Sequence, residues 1–367
     1  MKKKNVVFFM PLIGVGGVEK NLFLVSNFFS KKLDNIFVCT GSNKYKNKFN
    51  SNIKFLGPKK NLSDKLNIRL RYIFCLYILF KFLLKNKNTI VFCFQANIYC
   101  ILLCRILKIK IIVRCNTSPS GWYHNTFKQF IYKNIICLAD SIITNSLEFK
   151  KQMNKSLNVN SKCIYNPLNK NEILKKSKEK INLKFFDKKK YLKIINVARF
   201  TDQKDHITLL KSAEILTKKK INYRLLIIGR GEQKENLKKF IEEKSLESSV
   251  KILGPQSNPY KFINKSDLFI LSSKYEGLPN VLLEAAVLRK FIITTNCPTG
   301  PKEIILNGKG GFTFKIGDYN ELTNKIIIFK KNRKKFSYKI KNTYDALDRF
   351  DFKINLEQYY HLIKKYI

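Results

Sequence analysis

Short apolar runs alternate with helical stretches along almost the whole of this 367-residue chain. Many of the runs are apolar at consecutive positions, which is typical of strands buried on both faces of a sheet. Such strands, separated by helices, predict an α/β architecture of parallel sheets with helices on both sides. The predicted strands lie at residues 6–9, 35–39, 89–94, 110–114, 141–144, 193–197, 223–228, 251–253, 268–271 and 291–294. The clearest predicted helices lie at residues 19–29, 206–216, 233–244 and 280–288.

One polar, Lys-rich segment at residues 169–191 interrupts this alternation and contains no strand pattern. A chain of this length with 45% apolar residues can bury two cores, so we predict two doubly wound domains joined at this segment. The predicted boundaries are residues 1–170 for the first domain, 185–345 for the second and 346–367 for a C-terminal segment. Within that segment, residues 356–366 have helical spacing and are expected to pack back on the first domain.

The charge of the chain is strongly positive, with 71 Lys and Arg against 26 Asp and Glu. An excess of this size attracts nucleic acid or an anionic membrane surface, while a solvated lysine surface is the favoured alternative for any single Lys run. No nucleic-acid module and no base-stacking motif accompanies the charge, so a specific nucleic-acid partner ranks last. Residues 59–87 combine cations with apolar helical spacing, as helices in a membrane interface do. The alternative for these residues is that their apolar face simply packs on a sheet.

Several features predict a cytoplasmic protein, and the stretch at residues 59–87 would bind it peripherally to the inner face of the membrane. No segment reaches the roughly 18 uncharged apolar residues that a membrane span needs. The basic start of the chain leads into a strand and a glycine turn, and not into the apolar region of a signal peptide. The nine cysteines form no Cys-x-x-Cys pair, which disfavours a zinc site or a disulfide framework.

A glycine cluster follows the first strand and opens a helix, in the segment Gly14-Val15-Gly16-Gly17-Val18-Glu19. Glycines let a ligand approach the backbone closely, and the free amides of a helix N-terminus bind anions. The segment is neither a Gly-x-Gly-x-x-Gly motif nor a P-loop. Taken alone, it fits a phosphate-facing loop and a plain tight turn equally well.

Three later segments each lie between a strand and a helix, where ligands bind in open α/β sheets. In the first, Arg199 and Lys204 together suit a diphosphate, although two basic residues in a basic protein are the alternative. In the second, Glu276 is in a loop and Glu284 is in an apolar helix, where a buried carboxylate needs partners such as sugar hydroxyls. An exposed helical Glu is the alternative there. In the third, Thr299 is expected to cap a short helix, and a plain turn is the alternative.

Together, these motifs resemble glycosyltransferase family 4, the retaining enzymes of the GT-B fold, over nearly the whole chain. The resemblance is carried by Gly16-Gly17-Val18-Glu19, the pair Arg199 and Lys204, Gly229-Arg230-Gly231, and above all Glu276 with Glu284. It implies two Rossmann-like domains that face each other across a cleft, with a C-terminal helix that returns to the N-terminal domain. The chain looks like transferases that assemble surface polysaccharides or lipid-linked oligosaccharides in bacteria.

The resemblance also implies roles for individual residues. Arg199 and Lys204 would hold the donor diphosphate and Glu276 would contact the transferred sugar, which makes these three the catalytic residues. Glu284 would accept hydrogen bonds from the ribose hydroxyls, and Asn166 would lie in a polar hinge loop. The other implied donor-binding residues are Gly16, Gly17, Gly229, Gly277, Leu278, Pro279 and Asn280.

One departure from the family concerns the acceptor side. Many members have a His after the strand that corresponds to residues 110–114, whereas this chain reads Arg114-Cys115-Asn116-Thr117. His124 lies nearby and is expected to be a partly buried polar residue.

The implied activity is retaining transfer of a sugar from a nucleotide diphosphate sugar to a lipid-linked, lipopolysaccharide or capsular glycan acceptor. A UDP-sugar is the commonest donor of this kind. We expect no cofactor and no catalytic metal, because the chain contains no Asp-x-Asp with which to hold a divalent ion. Two alternatives remain: a sugar-nucleotide epimerase of the GT-B fold and, ranked lower, a basic nucleic-acid-binding protein.

Overall fold

The computed structural model of the chain describes residues 4–14, 16–58, 67–116, 126–181, 183–186 and 190–367, with the side chains of residues 126–129 left out. The chain divides into two compact units. The N-terminal domain comprises Met1–Pro167 and Phe352–Ile367, and the C-terminal domain comprises Leu168–Asp351. Within the described ranges, no helix is both long and apolar enough to cross a bilayer.

The described residues form strands and helices in alternation. The strands are β1 (Asn5–Phe9), β2 (Ile36–Cys39), β3 (Lys54–Leu56), β4 (Thr89–Cys93), β5 (Lys110–Arg114), β6 (Ser141–Thr144), β7 (Lys162–Cys163), β8 (Leu192–Val197), β9 (Tyr223–Ile228), β10 (Val250–Leu253), β11 (Leu268–Leu271), β12 (Phe291–Thr295) and β13 (Phe312–Phe314). The α-helices are α1 (Gly17–Phe29), α2 (Ile68–Lys85), α3 (Asn97–Ile106), α4 (Thr126–Ile136), α5 (Leu147–Leu157), α6 (Lys170–Ser177), α7 (His206–Lys218), α8 (Lys234–Glu243), α9 (Tyr260–Asn264), α10 (Asn280–Val287), α11 (Pro301–Ile304), α12 (Tyr319–Lys331), α13 (Ser337–Asp345) and α14 (Phe352–Lys364).

The N-terminal domain is built on a seven-stranded parallel sheet in the order β3-β2-β1-β4-β5-β6-β7. Successive side chains of a strand point to opposite faces of its sheet, and β1 shows this directly. Val6 and Phe8 pack in a core with α1 and α14. Val7 and Phe9 pack in a second core with α2, α3, α4 and α5. Helices therefore cover both faces of the sheet, as predicted from strands that are apolar at consecutive positions.

The C-terminal domain has a six-stranded parallel sheet in the order β10-β9-β8-β11-β12-β13. This order has the doubly wound form, with its switch point between β8 and β11. The predicted architecture of two doubly wound parallel sheets is thus confirmed. The polar segment without a strand pattern contributes α6, which packs on α9 of the C-terminal domain.

Three strands were not predicted: β3, β7 and β13. All three lie at the edge of their sheet. They are only two or three residues long, and β3 and β7 each begin with an exposed Lys. Such short, half-solvated runs have neither the length nor the apolar continuity that identifies a strand in a sequence.

A fully buried arginine links α14 to the rest of the N-terminal domain. Arg114 ends β5, and its Nε donates to the Tyr359 hydroxyl of α14 at 2.9 Å. Its other nitrogens donate to the side-chain oxygens of Asn116 and of Asn166, the latter at 2.5 Å. Within the described part of the chain, no carboxylate forms an ion pair with Arg114. The predicted return of the C-terminal helix to the N-terminal domain is confirmed, and this polar cluster is one of the contacts that fix it.

Removing one partner of this guanidinium is expected to destabilise the fold. Tyr359→Phe leaves Nε of a buried cation without its acceptor, which costs about 1–3 kcal/mol of unfolding free energy. Urea denaturation measures the difference. Tyr338→Phe is the matched control, since Tyr338 is 52% exposed. Equal unfolding free energies for the two variants would show that the cluster contributes little.

Candidate functional site

The candidate site lies at the carboxyl ends of β8 and β11, the two neighbouring strands that flank the switch point of the C-terminal sheet. Open α/β sheets bind ligands at this place. Hydrogen bonds that involve backbone groups connect the loop after β8 to the loop after β11. The Gln203 side chain donates to the Tyr275 carbonyl at 2.9 Å, and the Lys274 amide donates to the Gln203 carbonyl at 2.8 Å. The Ser272 hydroxyl donates to the Lys204 carbonyl at 2.9 Å.

A buried ion pair between Lys204 and Glu276 lies at the centre of the site. The Lys204 Nζ is 2.5 Å from Glu276 Oε1, and the side chains are only 13% and 7% exposed. The Ser273 hydroxyl donates to the same carboxylate oxygen at 2.6 Å. A buried carboxylate requires partners of this kind. Because an ammonium group has three donors, Lys204 can bind an anion while it keeps Glu276 as a partner.

Arg199 lies on the same loop but in a different environment. Its side chain is exposed, and no hydrogen bond or ion pair joins its guanidinium to another residue of the described ranges. Gly229, after β9, lets the neighbouring backbone approach this loop. A Cβ at Gly229 would lie 1.9 Å from the Ala198 carbonyl oxygen. Of the two cations predicted on this loop, Lys204 is therefore buried and paired, and Arg199 faces solvent.

Glu284 is buried within α10 and not exposed on it. Only 5% of the residue is accessible, and the Tyr260 hydroxyl donates to its Oε1 at 3.4 Å. The helix begins at Asn280, directly after Pro279, and Gly277 and Leu278 lie in the buried loop that leads into it. The alternative of an exposed helical Glu is therefore wrong.

The expected cap by Thr299 is also wrong, because Gly300 occupies the N-cap position of α11. Gly300 has a φ of +65°, and a Cβ there would lie 1.7 Å from the Gly277 carbonyl oxygen. Only glycine tolerates both conditions. The Thr299 hydroxyl donates instead to the Glu276 carbonyl at 2.6 Å. The loops after β11 and β12 are thus packed together, which fixes the backbone of Glu276.

Other predicted residues lie elsewhere. Gly16 and Gly17 are exposed at the N-terminus of α1 and belong to the N-terminal domain. Asn166 is buried and accepts a hydrogen bond from Arg114. His124 lies outside the described residues. Among those residues, no group of three or more His, Cys, Asp and Glu side chains is placed to hold a metal ion.

The sequence analysis missed Ser273 and Tyr260, which contact the two carboxylates of the site. Ser273 comes two residues after the end of β11. A polar residue directly beyond a buried strand is the sequence signal that could have identified it as a site residue. Tyr260 is 24 residues before Glu284, and only the tertiary structure brings the two side chains together.

His206, the first residue of α7, lies directly beside the site and is held in its neutral form. Its Nε2 is 3.1 Å from the side-chain Oδ1 of Asn196. The side-chain Nδ2 of Asn196 in turn donates to the Ile270 carbonyl at 2.8 Å. Burial, and secondarily the Lys204 charge, lower the pKa of His206 from 6.5 to about 4. The unfolded chain therefore binds a proton at His206 at higher pH than the folded protein does.

This lowered pKa predicts a loss of stability in mild acid. The contribution of neutral His206 is present above about pH 6.5 and is lost as the pH falls toward 4. Between pH 7 and 5, unfolding free energy should fall by about 2 kcal/mol more in the wild type than in His206→Asn. His361→Asn, which removes an exposed His, should keep the wild-type pH dependence. Parallel curves for His206→Asn and the wild type would contradict the assignment.

Comparison with known proteins identifies the kind of domain that holds this site. Residues 177–346 match the family model of glycosyl transferases group 1. That range contains the whole candidate site.

Two relatives are similar over larger parts of the chain. An uncharacterized glycosyltransferase of Methanocaldococcus jannaschii is 35% identical over 221 residues, which is 56% of this chain and 53% of that protein. The chain thus matches about half the length of that relative. An N-acetylgalactosaminyltransferase of Campylobacter jejuni that acts on a diphospho-undecaprenol glycan is 29% identical over 253 residues, covering 66% of this chain and 67% of that protein.

The fold is shared with solved structures over the complete chain. The Anabaena protein HepE in complex with UDP-glucose has a TM-score of 0.78 at 17% identity, covering 99% of this chain and 100% of that one. Residues 177–346 therefore carry the sequence pattern of group 1 glycosyl transferases, the relatives named are glycosyltransferases, and the fold of the chain is GT-B.

Proposed function

We propose that this protein is a retaining glycosyltransferase. It moves a sugar from a nucleotide diphosphate sugar, with UDP as the nucleotide, to a lipid-linked, lipopolysaccharide or capsular glycan acceptor. The observation that carries the proposal is the buried ion pair of Lys204 and Glu276 at the switch point of the C-terminal sheet. A cation suited to a phosphate and a carboxylate suited to sugar hydroxyls are in direct contact there. One donor molecule can therefore reach both.

The comparisons support the proposed activity, the proposed donor and the proposed acceptor through different proteins. The match to glycosyl transferases group 1 covers the domain that holds the ion pair. The HepE structure holds UDP-glucose, and the name of the Campylobacter jejuni relative gives a diphospho-undecaprenol glycan as its acceptor. These relatives do not favour the epimerase alternative.

The proposed chemistry follows from charge. When the bond between sugar and diphosphate breaks, negative charge builds on the departing phosphate oxygens. Lys204 and Arg199 stabilise that charge more in the transition state than in the ground state. The backbone amides of residues 277–280, at the start of α10, add fixed dipoles, and we propose donor binding as the role of Gly16, Gly17 and Gly229. For retention we propose that the acceptor hydroxyl attacks on the face that the diphosphate leaves: its oxygen bonds to the anomeric carbon as the bond to the diphosphate breaks, and its proton passes to the departing phosphate oxygen.

Glu276 keeps its place when a donor binds. The Lys204 ammonium group has three donors in all, so a donor phosphate can accept from those that Glu276 leaves free. The Ser273 hydroxyl remains on the same carboxylate oxygen, so Glu276 stays oriented while it accepts hydrogen bonds from the sugar. Glu284, with Tyr260 beside it, is placed to accept hydrogen bonds from the ribose hydroxyls.

We assign donor binding to residues 185–345, acceptor binding to residues 1–170 and a crossover to residues 346–367. A lipid-linked acceptor places the reaction at the cytoplasmic face of the membrane. The direct test is to mix the protein with a panel of UDP-sugars and a polyprenyl-diphosphate-linked oligosaccharide, and to measure UDP release and product mass. The proposal expects acceptor-dependent UDP release with a mass gain of one sugar. Conversion of the donor to its epimer without acceptor would support the epimerase instead.

Removing either cation should slow turnover. Because Lys204→Ala also leaves the buried Glu276 without its cation, its unfolding free energy is measured beside kcat. Arg199→Ala and Lys204→Ala each lose a charge that acts on the departing diphosphate. A loss of about 2–4 kcal/mol of transition-state stabilisation lowers kcat roughly 30- to 1000-fold. Lys218→Ala, which removes a 71% exposed cation at the last residue of α7, is the control. Near-wild-type kcat in both variants would rule out the phosphate assignment.

The two carboxylates should respond differently to substitution. Glu284→Ala removes a contact to a part of the donor that does not react, so donor affinity should fall most. Glu276→Ala removes a contact to the sugar, so kcat should fall with it. Calorimetric donor affinity and steady-state kinetics separate the two effects. Unchanged donor affinity in Glu284→Ala would contradict its assignment to the ribose.

Turnover should not require a divalent ion, because Arg199 and Lys204 supply the positive charge at the diphosphate. UDP release is therefore expected to be the same with and without EDTA. Activity that EDTA abolishes and Mg²⁺ restores would show that a metal ion, and not the two side chains alone, neutralises the leaving group.

A further inference from the structure

The second helix of the N-terminal domain is apolar on two opposite sides. Its inner side packs on the sheet through Cys75, Leu79 and Leu83, which are buried. On the opposite side, Ile73 is 63% exposed and Tyr77 is also exposed. A surface helix normally places polar residues there, so this outer apolar stripe points to a partner.

The neighbouring helix α3 repeats the pattern. Cys100, Ile101 and Cys104 are buried against the same side of the sheet, while Tyr99 and Ile106 are exposed, Ile106 by 78%. Because α2 contacts α3 and both share one core, their outer stripes belong to one surface. We call it the outer helical face and define it by Leu70, Ile73, Tyr77, Tyr99, Leu102 and Ile106.

The charge of the segment that carries this face is mostly positive. Residues 65–139, which contain the whole of α2, α3 and α4, include 12 Lys and Arg and not a single Asp or Glu, although Arg114 among them is fully buried. Arg69 and Arg71 lie at one end of α2, and Lys81 and Lys85 lie toward the other. Asp140, the first carboxylate after this range, is only 11% exposed and is paired with Arg105 and Lys110, so the apolar side chains are flanked mainly by cations.

We propose that the outer helical face docks on the surface of an anionic lipid bilayer, with the apolar side chains among the upper acyl chains and the flanking cations at the headgroups. Apolar stripes with flanking cations and aromatic hydroxyls suit this interface. Each cation near an anionic leaflet raises the binding constant roughly fivefold at low salt. The face and its charge are independent of the chemistry at the donor site.

This surface extends the membrane prediction made for residues 59–87. Of those residues, 59–66 lie outside the described part of the chain. The inner side of α2 does pack on the sheet, as the alternative held, but a second apolar side remains exposed. The docking surface also includes α3, which the sequence analysis did not select.

The test is sedimentation of the full-length protein with vesicles of phosphatidylcholine alone or with 30% phosphatidylglycerol, at low and high salt. The proposal expects binding to the anionic vesicles that weakens as salt rises. Ile73→Ser with Ile106→Ser should lower the partition coefficient at least tenfold, since two exposed apolar side chains are lost. Ile354→Ser is the matched control, because Ile354 is 58% exposed on α14, which packs on the other side of the sheet.

Several results would overturn the proposal. One is absence of binding to anionic vesicles at low salt, and another is equal binding of the wild type and the Ile73→Ser, Ile106→Ser variant. A third is a wild-type oligomer in analytical ultracentrifugation that the double variant converts to monomer, which would make the face an interface between copies of the chain. UDP release with a water-soluble acceptor reports on the donor site separately, so failure of docking and failure of the proposed function are distinguishable.

Discussion

The buried ion pair of Lys204 and Glu276 is the interaction on which the proposed site depends. A lone charge at either position would be costly, because both side chains are almost entirely removed from water. The pair comes from two loops that are 72 residues apart in the chain. Ser273 and Thr299 fix the Glu276 side chain and backbone, and Ser272 fixes the backbone of Lys204. These bonds define the positions at which one ligand can meet both charges.

The N-terminal domain contains a buried charge of a different kind. Arg114 stays protonated at any relevant pH, so burial requires acceptors for its donors. Two Asn side chains and the Tyr359 hydroxyl meet that requirement. Arg114 and Asn116 therefore belong to a network that joins β5 to Asn166 and to α14. Arg114 and its partners thus stabilise the packing of α14 on the rest of the N-terminal domain.

The sequence analysis predicted the strands of the sheet interiors well, because a strand buried on both faces is apolar at every position. It missed β3, β7 and β13, whose residues lie at sheet edges and are partly solvated. It selected Lys204 and Glu276 because charged residues beside buried strands are conspicuous, and Glu284 because a carboxylate in an apolar helix needs partners. It did not foresee that Lys204 and Glu276 are partners, nor that Tyr260 covers Glu284, because both contacts arise from packing between distant segments.

The central claim is that the loops after β8 and β11 bind a nucleoside diphosphate through its terminal phosphate. Isothermal titration calorimetry with UDP and with UMP tests this claim without an acceptor or a sugar. Charge-assisted hydrogen bonds are worth about 1.5–3 kcal/mol, so UDP should bind roughly tenfold to hundredfold more tightly than UMP. In Lys204→Ala that difference should shrink most. Equal affinity for UDP and UMP in the wild type would contradict the account.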